Sequence, residues 1–262
     1  MPFADLSGFR QHYREDGETT GAPVVFAHAL GVDLSVWDPV VARLPKGLRV
    51  IRMDMRGHGQ SQATPAPYSM GTLVRDAEAL LDHLNIRNCV FVGLSIGGMI
   101  AQGLAVKRMD QIRALVLSNT AAKIGQADAW RDRIDLVQTQ GVDAVVDMTL
   151  EKWFARAYRA EADLSPWRSL INDTSPEGYK GCCAAISGTD FYTPTSGLRL
   201  PVLGLAGSED GSTPPDLVRE TVDLVPGSKF QLIRRAGHLP FVEQPDAYAE
   251  ALSSFLRDIG HL

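Results

Sequence analysis

The segment Gly93-Leu94-Ser95-Ile96-Gly97 places a serine between two glycines, in the pattern G-x-S-x-G. An apolar run at residues 89–92, typical of a strand, precedes it, and a helical pattern follows. A serine on so sharp a strand-to-helix turn has a strained backbone, and side chains in place of the glycines would collide with neighbouring backbone. We predict that Ser95 is a nucleophile for acyl chemistry. The alternative is a glycine-rich turn with an unreactive serine.

A serine hydroxyl is a weak nucleophile, so Ser95 needs a base within hydrogen-bond reach. His238 follows the last predicted strand, at residues 230–233, and is the candidate for this base. The other five histidines fit other places: His12 in a hairpin, His58 in a turn, His83 on a surface helix, His261 at a frayed end, and His28 as a structural side chain near the loop after the first predicted strand. The alternative for His238 is a loop histidine that only satisfies local hydrogen bonds.

The turn at residues 207–211 follows the penultimate predicted strand and carries two carboxylates, Glu209 and Asp210. We choose Asp210 as the residue that orients His238. Its carboxylate would hold the imidazole in the tautomer that accepts the serine proton, and would stabilise the imidazolium that follows. Glu209 is the competing candidate, and a solvated turn carboxylate without a catalytic role is a third alternative.

The tetrahedral intermediate of acyl transfer needs hydrogen-bond donors directed at its oxyanion. The backbone N–H of the residue after the nucleophile, Ile96, is the first expected donor. The second should come from the loop at residues 28–31, which follows the predicted strand at residues 24–27. In this loop we assign the backbone N–H of Leu30.

Short apolar, β-branched runs alternate along the chain with longer helical patterns. Strands are predicted at residues 24–27, 48–53, 89–92, 114–117, 202–206 and 230–233, and helices at residues 72–84, 98–106 and 246–256. This alternation predicts an α/β fold with a mostly parallel, doubly wound sheet. Between residues 119 and 200 aromatic side chains cluster among helix-forming residues. We therefore expect a core in two parts, residues 1–119 and 201–262, with a helical cap inserted at residues 120–200.

The length of 262 residues fits one domain, and the formal net charge is −5. No cluster of Lys and Arg suits nucleic acid, and no segment has the pattern of a signal peptide or a membrane span, so we expect a cytoplasmic protein. Cys89, Cys182 and Cys183 are predicted to be reduced thiols, because an odd number with an adjacent pair suits no disulfide framework. CxxC, HExxH and Walker motifs are absent from the sequence, so we expect no metal and no cofactor.

The order of Ser95, Asp210 and His238 along the chain resembles the α/β-hydrolase superfamily, and the resemblance extends over nearly the whole length. Within it, the chain resembles the 3-oxoadipate enol-lactonase family of the β-ketoadipate pathway. The segments that carry this closer resemblance are Asp54-Met55-Arg56-Gly57-His58-Gly59-Gln60-Ser61, Ser118-Asn119-Thr120-Ala121-Ala122-Lys123-Ile124-Gly125 followed by Trp130 and Arg133-Ile134, Glu177-Gly178-Tyr179 with Cys182-Cys183-Ala184-Ala185, and His238-Leu239 with Val242-Glu243-Gln244-Pro245. Ala29 departs from the small polar residue or glycine that the resemblance implies in the oxyanion loop.

The resemblance implies hydrolysis of a small enol-lactone with an acetate arm, through an acyl-enzyme on Ser95 and without a cofactor. Such a substrate carries a carboxylate, so the cap should supply a cation. We expect Arg133, near Trp130, to bind this carboxylate. The alternative for Arg133 is a solvated helix face, and that for Trp130 is the core of the cap.

Other functions are compatible with the same three residues. They could carry out general carboxylester hydrolysis or cofactor-free perhydrolysis of the haloperoxidase type, although the cap sequence favours the lactone. A haloalkane dehalogenase would have a carboxylate in place of Ser95. A small-molecule receptor of hydrolase fold would also retain the three residues, and slow turnover would distinguish it. The sequence is compatible with a monomer and with a homo-oligomer.

Overall fold

The chain folds around one eight-stranded sheet in the computed structural model, which describes residues 2–6 and 8–262. In chain order the strands are β1 (Phe3–Leu6), β2 (Phe9–Gly17), β3 (Ala22–Ala27), β4 (Leu48–Met53), β5 (Cys89–Leu94), β6 (Ile112–Ser118), β7 (Val202–Gly207) and β8 (Lys229–Ile233). Their spatial order is β1-β2-β4-β3-β5-β6-β7-β8. The pairs β1-β2 and β2-β4 are antiparallel, and the other pairs are parallel. The predicted α/β fold with a mostly parallel sheet is therefore confirmed.

The central strands owe their apolar sequences to burial on both faces. Every residue of β5 and of β7 is buried, as is typical of parallel strands between two layers of helices. Each of the six predicted strands is present, and the observed bounds extend the predicted ones by at most two residues at either end. Because β5, β7 and β8 run parallel in one sheet, the residues that follow them meet at the same edge.

Helices cover this sheet and fill the connections between its strands. They are α1 (Asp38–Val41), α2 (Met70–His83), α3 (Ile96–Lys107), α4 (Ala127–Gln140), α5 (Val146–Trp153), α6 (Arg156–Glu161), α7 (Ser165–Asn172), α8 (Pro176–Ser187), α9 (Tyr192–Ser196), α10 (Pro215–Asp223), α11 (Pro240–Glu243) and α12 (Pro245–Asp258), with 3-10 helices at Leu34–Trp37 and Val142–Val145. The three predicted helices correspond to α2, α3 and α12. In the described part of the chain, no helix combines the length and apolar character that crossing a membrane requires.

The segment between β6 and β7 carries the helices α4 to α9, joined by short loops, with α4 packed against α8. This confirms the predicted helical insertion into the sheet domain. Its bounds at residues 120 and 200 stay a prediction, and residues 1 and 7 of the predicted first part lie outside the described residues. The aromatic side chains Phe154, Tyr158 and Trp167 contact one another inside the insertion. They form a small core of the cap rather than lining its cavity.

The N-terminal strands β1 and β2 form the hairpin predicted around His12, and His83 is exposed at the end of α2. The prediction for His261 is wrong, because this residue is buried and its Nε2 lies 3.0 Å from the carbonyl oxygen of Pro23. After α12 the chain turns at Gly260, with φ of 62°, and brings His261 back to β3. The three cysteines are buried free thiols, as predicted.

Candidate active site

Ser95 lies on the turn between β5 and α3, with φ of 55° and ψ of −118°. A Cβ atom on Gly93 would lie 2.3 Å from the carbonyl oxygen of Gly97, and one on Gly97 would lie 2.4 Å from that of Ala27. Only glycine therefore fits on either side of this serine. Such backbone strain costs about 1–3 kcal/mol. It persists because the Ser95 carbonyl accepts a 2.6 Å hydrogen bond from Thr120 Oγ1, among other bonds across the turn.

His238 and Asp210 form a buried pair at the carboxyl edge of the sheet. Asp210 follows β7, His238 follows the neighbouring β8, and Nδ1 of the histidine lies 2.8 Å from Oδ2 of the aspartate. Glu209, by contrast, is exposed, and its Oε2 accepts a 3.2 Å hydrogen bond from the backbone N–H of Arg156. Of the two turn carboxylates, the structure brings only Asp210 to the imidazole.

The Asp210 carboxylate is surrounded by donors. Asn119 Nδ2 and Thr213 Oγ1 each donate to Oδ2 at 2.8 Å, and the backbone N–H groups of Ser212 and Thr213 donate to Oδ1 at 2.7 and 3.0 Å. Burial by itself raises the pKa of Asp210, but the charge of His238 and these hydrogen bonds together hold it below its ordinary value. When His238 is neutral, the ionised carboxylate accepts its Nδ1 proton, which leaves Nε2 as the proton acceptor of the ring.

Asn119, Ser212 and Thr213 did not emerge from the sequence as site residues. Two signals could have found them. Aspartate side chains commonly accept from the N–H group two residues on, which points to Ser212. Asn119 directly follows β6, the neighbour of β7 in the sheet, so its side chain can reach the turn that carries Asp210.

A cavity of about 400 Å³ lies between the core and the cap. Ser95 and His238 both line it, and Leu30 lines it from the loop after β3. The cap contributes mainly apolar and aromatic side chains, among them Trp130 and Trp153. The volume is within the range of small-molecule sites, about 300–1,000 Å³. In the described residues, no group of three or more His, Cys, Asp and Glu is arranged to hold a metal ion.

His28 fixes the peptide that precedes Leu30. Its Nδ1 lies 2.7 Å from the carbonyl oxygen of Ala29, and its Nε2 accepts a 3.0 Å hydrogen bond from the N–H of Met55. Burial lowers the pKa of His28, which keeps this ring neutral with its proton on Nδ1. Because the C=O and N–H of a trans peptide point in opposite directions, the N–H of Leu30 points away from the His28 ring.

The N–H groups of Leu30 and Ile96 are the two predicted oxyanion donors. In the part of the chain that the structure describes, neither donates to a backbone acceptor. Ile96 is the first residue of α3, where N–H groups have no acceptor within the helix. Leu30 borders the cavity beside Ser95. The arrangement can therefore present two backbone donors and a helix N-terminus to an anion that forms at Ser95.

The buried carboxylate of Asp54 lies behind His28, with Oδ1 3.9 Å from the ring Nε2. Asp54 Oδ1 accepts a 2.8 Å hydrogen bond from the N–H of Leu34, and Oδ2 accepts from the N–H of Gln60 at 2.9 Å and lies 2.6 Å from His12 Nδ1. Burial alone raises the pKa of Asp54, but the hydrogen bond with His12 and the bonds from the two amides hold it below its ordinary value. From the sequence, Asp54 was named only within a segment that carries the family resemblance, and these contacts were not predicted.

The sequence matches the family described as alpha/beta hydrolase fold over residues 22–245. The chain belongs to this family. It is also 32% identical to 3-oxoadipate enol-lactonase 2 of Acinetobacter baylyi, over 94% of this chain and 92% of that protein.

Similarity to solved structures agrees with this family assignment. The enol-lactonase from Burkholderia xenovorans LB400 superposes with a TM-score of 0.94 and 36% identity, covering 98% of this chain and 100% of that one. A thermophilic esterase from Thermogutta terrifontis superposes with a TM-score of 0.91 and 26% identity, covering 98% of both chains. The hydrolase is thus similar to lactonases and to esterases over 94% to 98% of its length.

Arg133 and Trp130 both reach the cavity of this hydrolase from α4. Arg133 Nε donates to Tyr179 Oη at 2.9 Å, and its guanidinium also donates to Thr149 Oγ1. Burial raises the pKa of Tyr179 to about 12, so the phenol stays neutral and does not cancel the positive charge. Trp130 Nε1 donates to the carbonyl oxygen of Ile124 at 2.6 Å, which fixes the indole at the cavity wall.

No carboxylate of the described residues forms an ion pair with Arg133. Two exposed side chains of opposite charge, Asp132 and Lys152, also border the cavity. The guanidinium is half-buried and held by neutral partners, so its charge remains available to an anion in the cavity.

Proposed function

We propose that this hydrolase cleaves a small lactone or ester that carries a carboxylate, through an acyl-enzyme on Ser95. The observation that carries the proposal is a single cavity lined by Ser95, by His238 with Asp210 on its Nδ1, and by the unneutralised Arg133. The core residues of this lining can perform acyl transfer, while Arg133 of the cap can bind an anionic group. A substrate with a carboxylate near its reactive carbonyl satisfies both.

In the proposed reaction Ser95 Oγ attacks the carbonyl carbon as His238 Nε2 accepts its proton. The N–H groups of Leu30 and Ile96 donate to the resulting oxyanion, and the loss of one such donor typically costs about 10² to 10³ in kcat. The bond to the ring oxygen then breaks, and this oxygen takes the proton from His238. Water, deprotonated by the same imidazole, attacks the acyl-enzyme and releases the acid and Ser95.

We further propose 3-oxoadipate enol-lactone as the substrate, in the β-ketoadipate pathway and in the cytoplasm. Its leaving group is an enol, which becomes a ketone and makes ring opening favourable. Its acetate arm supplies the carboxylate that Arg133 would bind. The similarity to an A. baylyi protein and a B. xenovorans protein that are named enol-lactonases supports this choice.

The test is ultraviolet-monitored hydrolysis of freshly prepared 3-oxoadipate enol-lactone, with p-nitrophenyl acetate as a parallel generic ester. We expect a much higher kcat/KM for the lactone than for the ester. Ser95→Ala is the control, and it should lose about 10⁶ in kcat for both substrates while its thermal unfolding stays unchanged. Rapid ester cleavage with an inert lactone would retain the serine hydrolase and reject the lactone as substrate.

A further inference from the structure

One carboxylate outside the cavity connects the loop that carries His238 to the cap. Glu243, the last residue of α11, accepts a 2.6 Å hydrogen bond through Oε1 from the N–H of Gly237 and a 3.0 Å bond through Oε2 from the N–H of Ala155. Gly237 directly precedes His238, and Ala155 links α5 to α6 in the cap. Each oxygen of Glu243 therefore holds one of two segments that are distant in sequence.

The same two segments also touch directly. The N–H of His238 donates to the carbonyl oxygen of Trp153 at 2.6 Å, and the Trp153 ring stacks on the imidazole with centroids 6.0 Å apart. A Cβ atom on Gly237 would lie 2.2 Å from that carbonyl oxygen, so the loop and the end of α5 are in close contact. Any shift of this end of the cap must therefore displace the backbone of the histidine.

We propose that Glu243 is a positioning residue, whose carboxylate holds the histidine loop and the cap in one arrangement so that the His238 imidazole faces Ser95. The inference rests on the proposed acyl-enzyme function, because it assigns His238 the role of the base. Glu243 itself does not line the cavity, so its proposed role is not one of contact with a substrate. A displacement of about 1 Å in a catalytic group can cost about 100-fold in rate, so a contact of this kind can control turnover from outside the cavity.

Burial and the neighbouring charges make the two hydrogen bonds of Glu243 dependent on pH. Burial raises the pKa of Glu243 to about 7, despite the two amide donors, and the carboxylates of Glu209 and Asp210 contribute to the rise. Tyr158 faces it from α6, and its own pKa is raised, by burial first and by Glu243 second. A protonated carboxyl keeps one good acceptor oxygen, because the other now carries a hydrogen. Protonation thus weakens the contact with one of the two amides.

The first test is Glu243→Gln, which keeps the size of the side chain but leaves one acceptor and places an NH₂ group against an N–H donor. We expect kcat for p-nitrophenyl acetate to fall about 10- to 100-fold with little change in KM. The decrease in kcat that protonation of Glu243 causes on acidification through pH about 7 should be absent from the pH–kcat profile of this variant. Glu250→Gln, an exposed glutamate on α12 paired with Arg257, is the matched control and should behave as the wild type.

The second variant, Ala155→Pro, removes only the donor on the cap side. Ala155 has φ of −56° and Phe154 before it is extended, so proline suits the backbone there but has no N–H for Glu243. We expect the same loss in kcat as for Glu243→Gln, and no further loss in the double variant. Hydrogen exchange should show faster exchange at residues 153–158 and 235–240 in both variants, at one fixed pH.

The outcomes separate this inference from the proposed function. Active sites are counted by titration with a fluorophosphonate, so kcat refers to folded, reactive enzyme only. Unchanged kcat per active site in Glu243→Gln, with or without a change in thermal stability, would reduce Glu243 to a structural residue and overturn the inference. If Ser95→Ala kept its activity, the failure would lie in the proposed function instead.

Discussion

Asn119 Nδ2 donates to Asp210 Oδ2 at 2.8 Å, and the same oxygen lies 2.8 Å from His238 Nδ1. The amide of Asn119 also donates to the carbonyl oxygen of Gly237 at 3.2 Å. One side chain therefore supports both the carboxylate that orients the imidazole and the loop that carries it. Asn119 has φ of 45°, a conformation that asparagine tolerates better than most residues.

Asn119→Gly should remove this support without straining the backbone, because glycine accepts a positive φ. A hydrogen bond to a charged acceptor contributes about 1.5–3 kcal/mol, so we expect kcat to fall about 10- to 100-fold. With one donor fewer, the pKa of Asp210 rises, and activity should be lost at a higher pH on acidification than in the wild type. A pH–kcat profile checks this.

Asn88→Gly is the matched control for Asn119→Gly. Asn88 also has a positive φ, 57°, but it is exposed in the turn before β5 and far along the sheet from the cavity. Its replacement should leave the profile unchanged. If both variants behaved alike, the effect would be one of backbone replacement and not of the bond to Asp210.

Asp210→Asn should lose about 10⁴ in kcat, because an amide that donates to Nδ1 selects the tautomer whose Nε2 carries the proton and cannot accept that of Ser95. Glu209→Gln is the control, since the structure turns Glu209 to the N–H of Arg156 instead. Steady-state rates of both variants on p-nitrophenyl acetate give the answer. Nearly wild-type activity in Asp210→Asn, together with impaired activity in Glu209→Gln, would show that Glu209 and not Asp210 orients His238.

The three candidate catalytic residues could be predicted from the sequence, because each of them follows a recognisable strand. Ser95 follows β5, Asp210 follows β7 and His238 follows β8, and strands of this apolar character are recognisable without a structure. Parallel strands bring their carboxyl ends together, so order along the chain was enough to propose which residues meet. The fold class followed from the same alternation.

The contact of Glu243 with the cap could not be predicted in this way, because neither segment follows a strand of the sheet. Glu243 meets Ala155 across 88 positions, from the end of α11 to the link between α5 and α6. Nothing in local periodicity encodes such pairs. His261 shows the same limit, because a turn at Gly260 brings an apparently frayed end back onto the sheet.

The raised pKa of Glu243 also predicts how stability depends on pH. Because its pKa is about 7 in the folded chain and its ordinary value is 4.5, the folded state holds a proton that the unfolded state has released between these values. The contribution of Glu243 to stability therefore falls as pH rises through this window. Glutamine cannot titrate, so the melting temperature of Glu243→Gln relative to wild type should rise from pH about 5 to pH about 8. A constant difference across this range would show that the carboxyl titrates at its ordinary pKa.

Arg133 should distinguish substrates by their charge. Its guanidinium is held by Tyr179 and Thr149, which are neutral, so its full charge can act on a substrate carboxylate. Removing one partner of a charged, partly buried contact typically costs about 2–5 kcal/mol in binding. For Arg133→Ala we therefore expect KM for 3-oxoadipate enol-lactone to rise at least about 30-fold, with KM for the uncharged p-nitrophenyl acetate nearly unchanged.

Two variants make the Arg133 measurement decisive. Arg133→Lys keeps the charge but loses the two-pronged geometry, and should recover part of the loss in KM for the lactone. Arg131→Ala, two residues earlier on α4 and exposed, removes a charge of the same kind outside the cavity and should have no effect. An Arg133→Ala variant with wild-type KM for the lactone would place the carboxylate elsewhere in the cavity, and the exposed Lys152 would then be the next cation to replace.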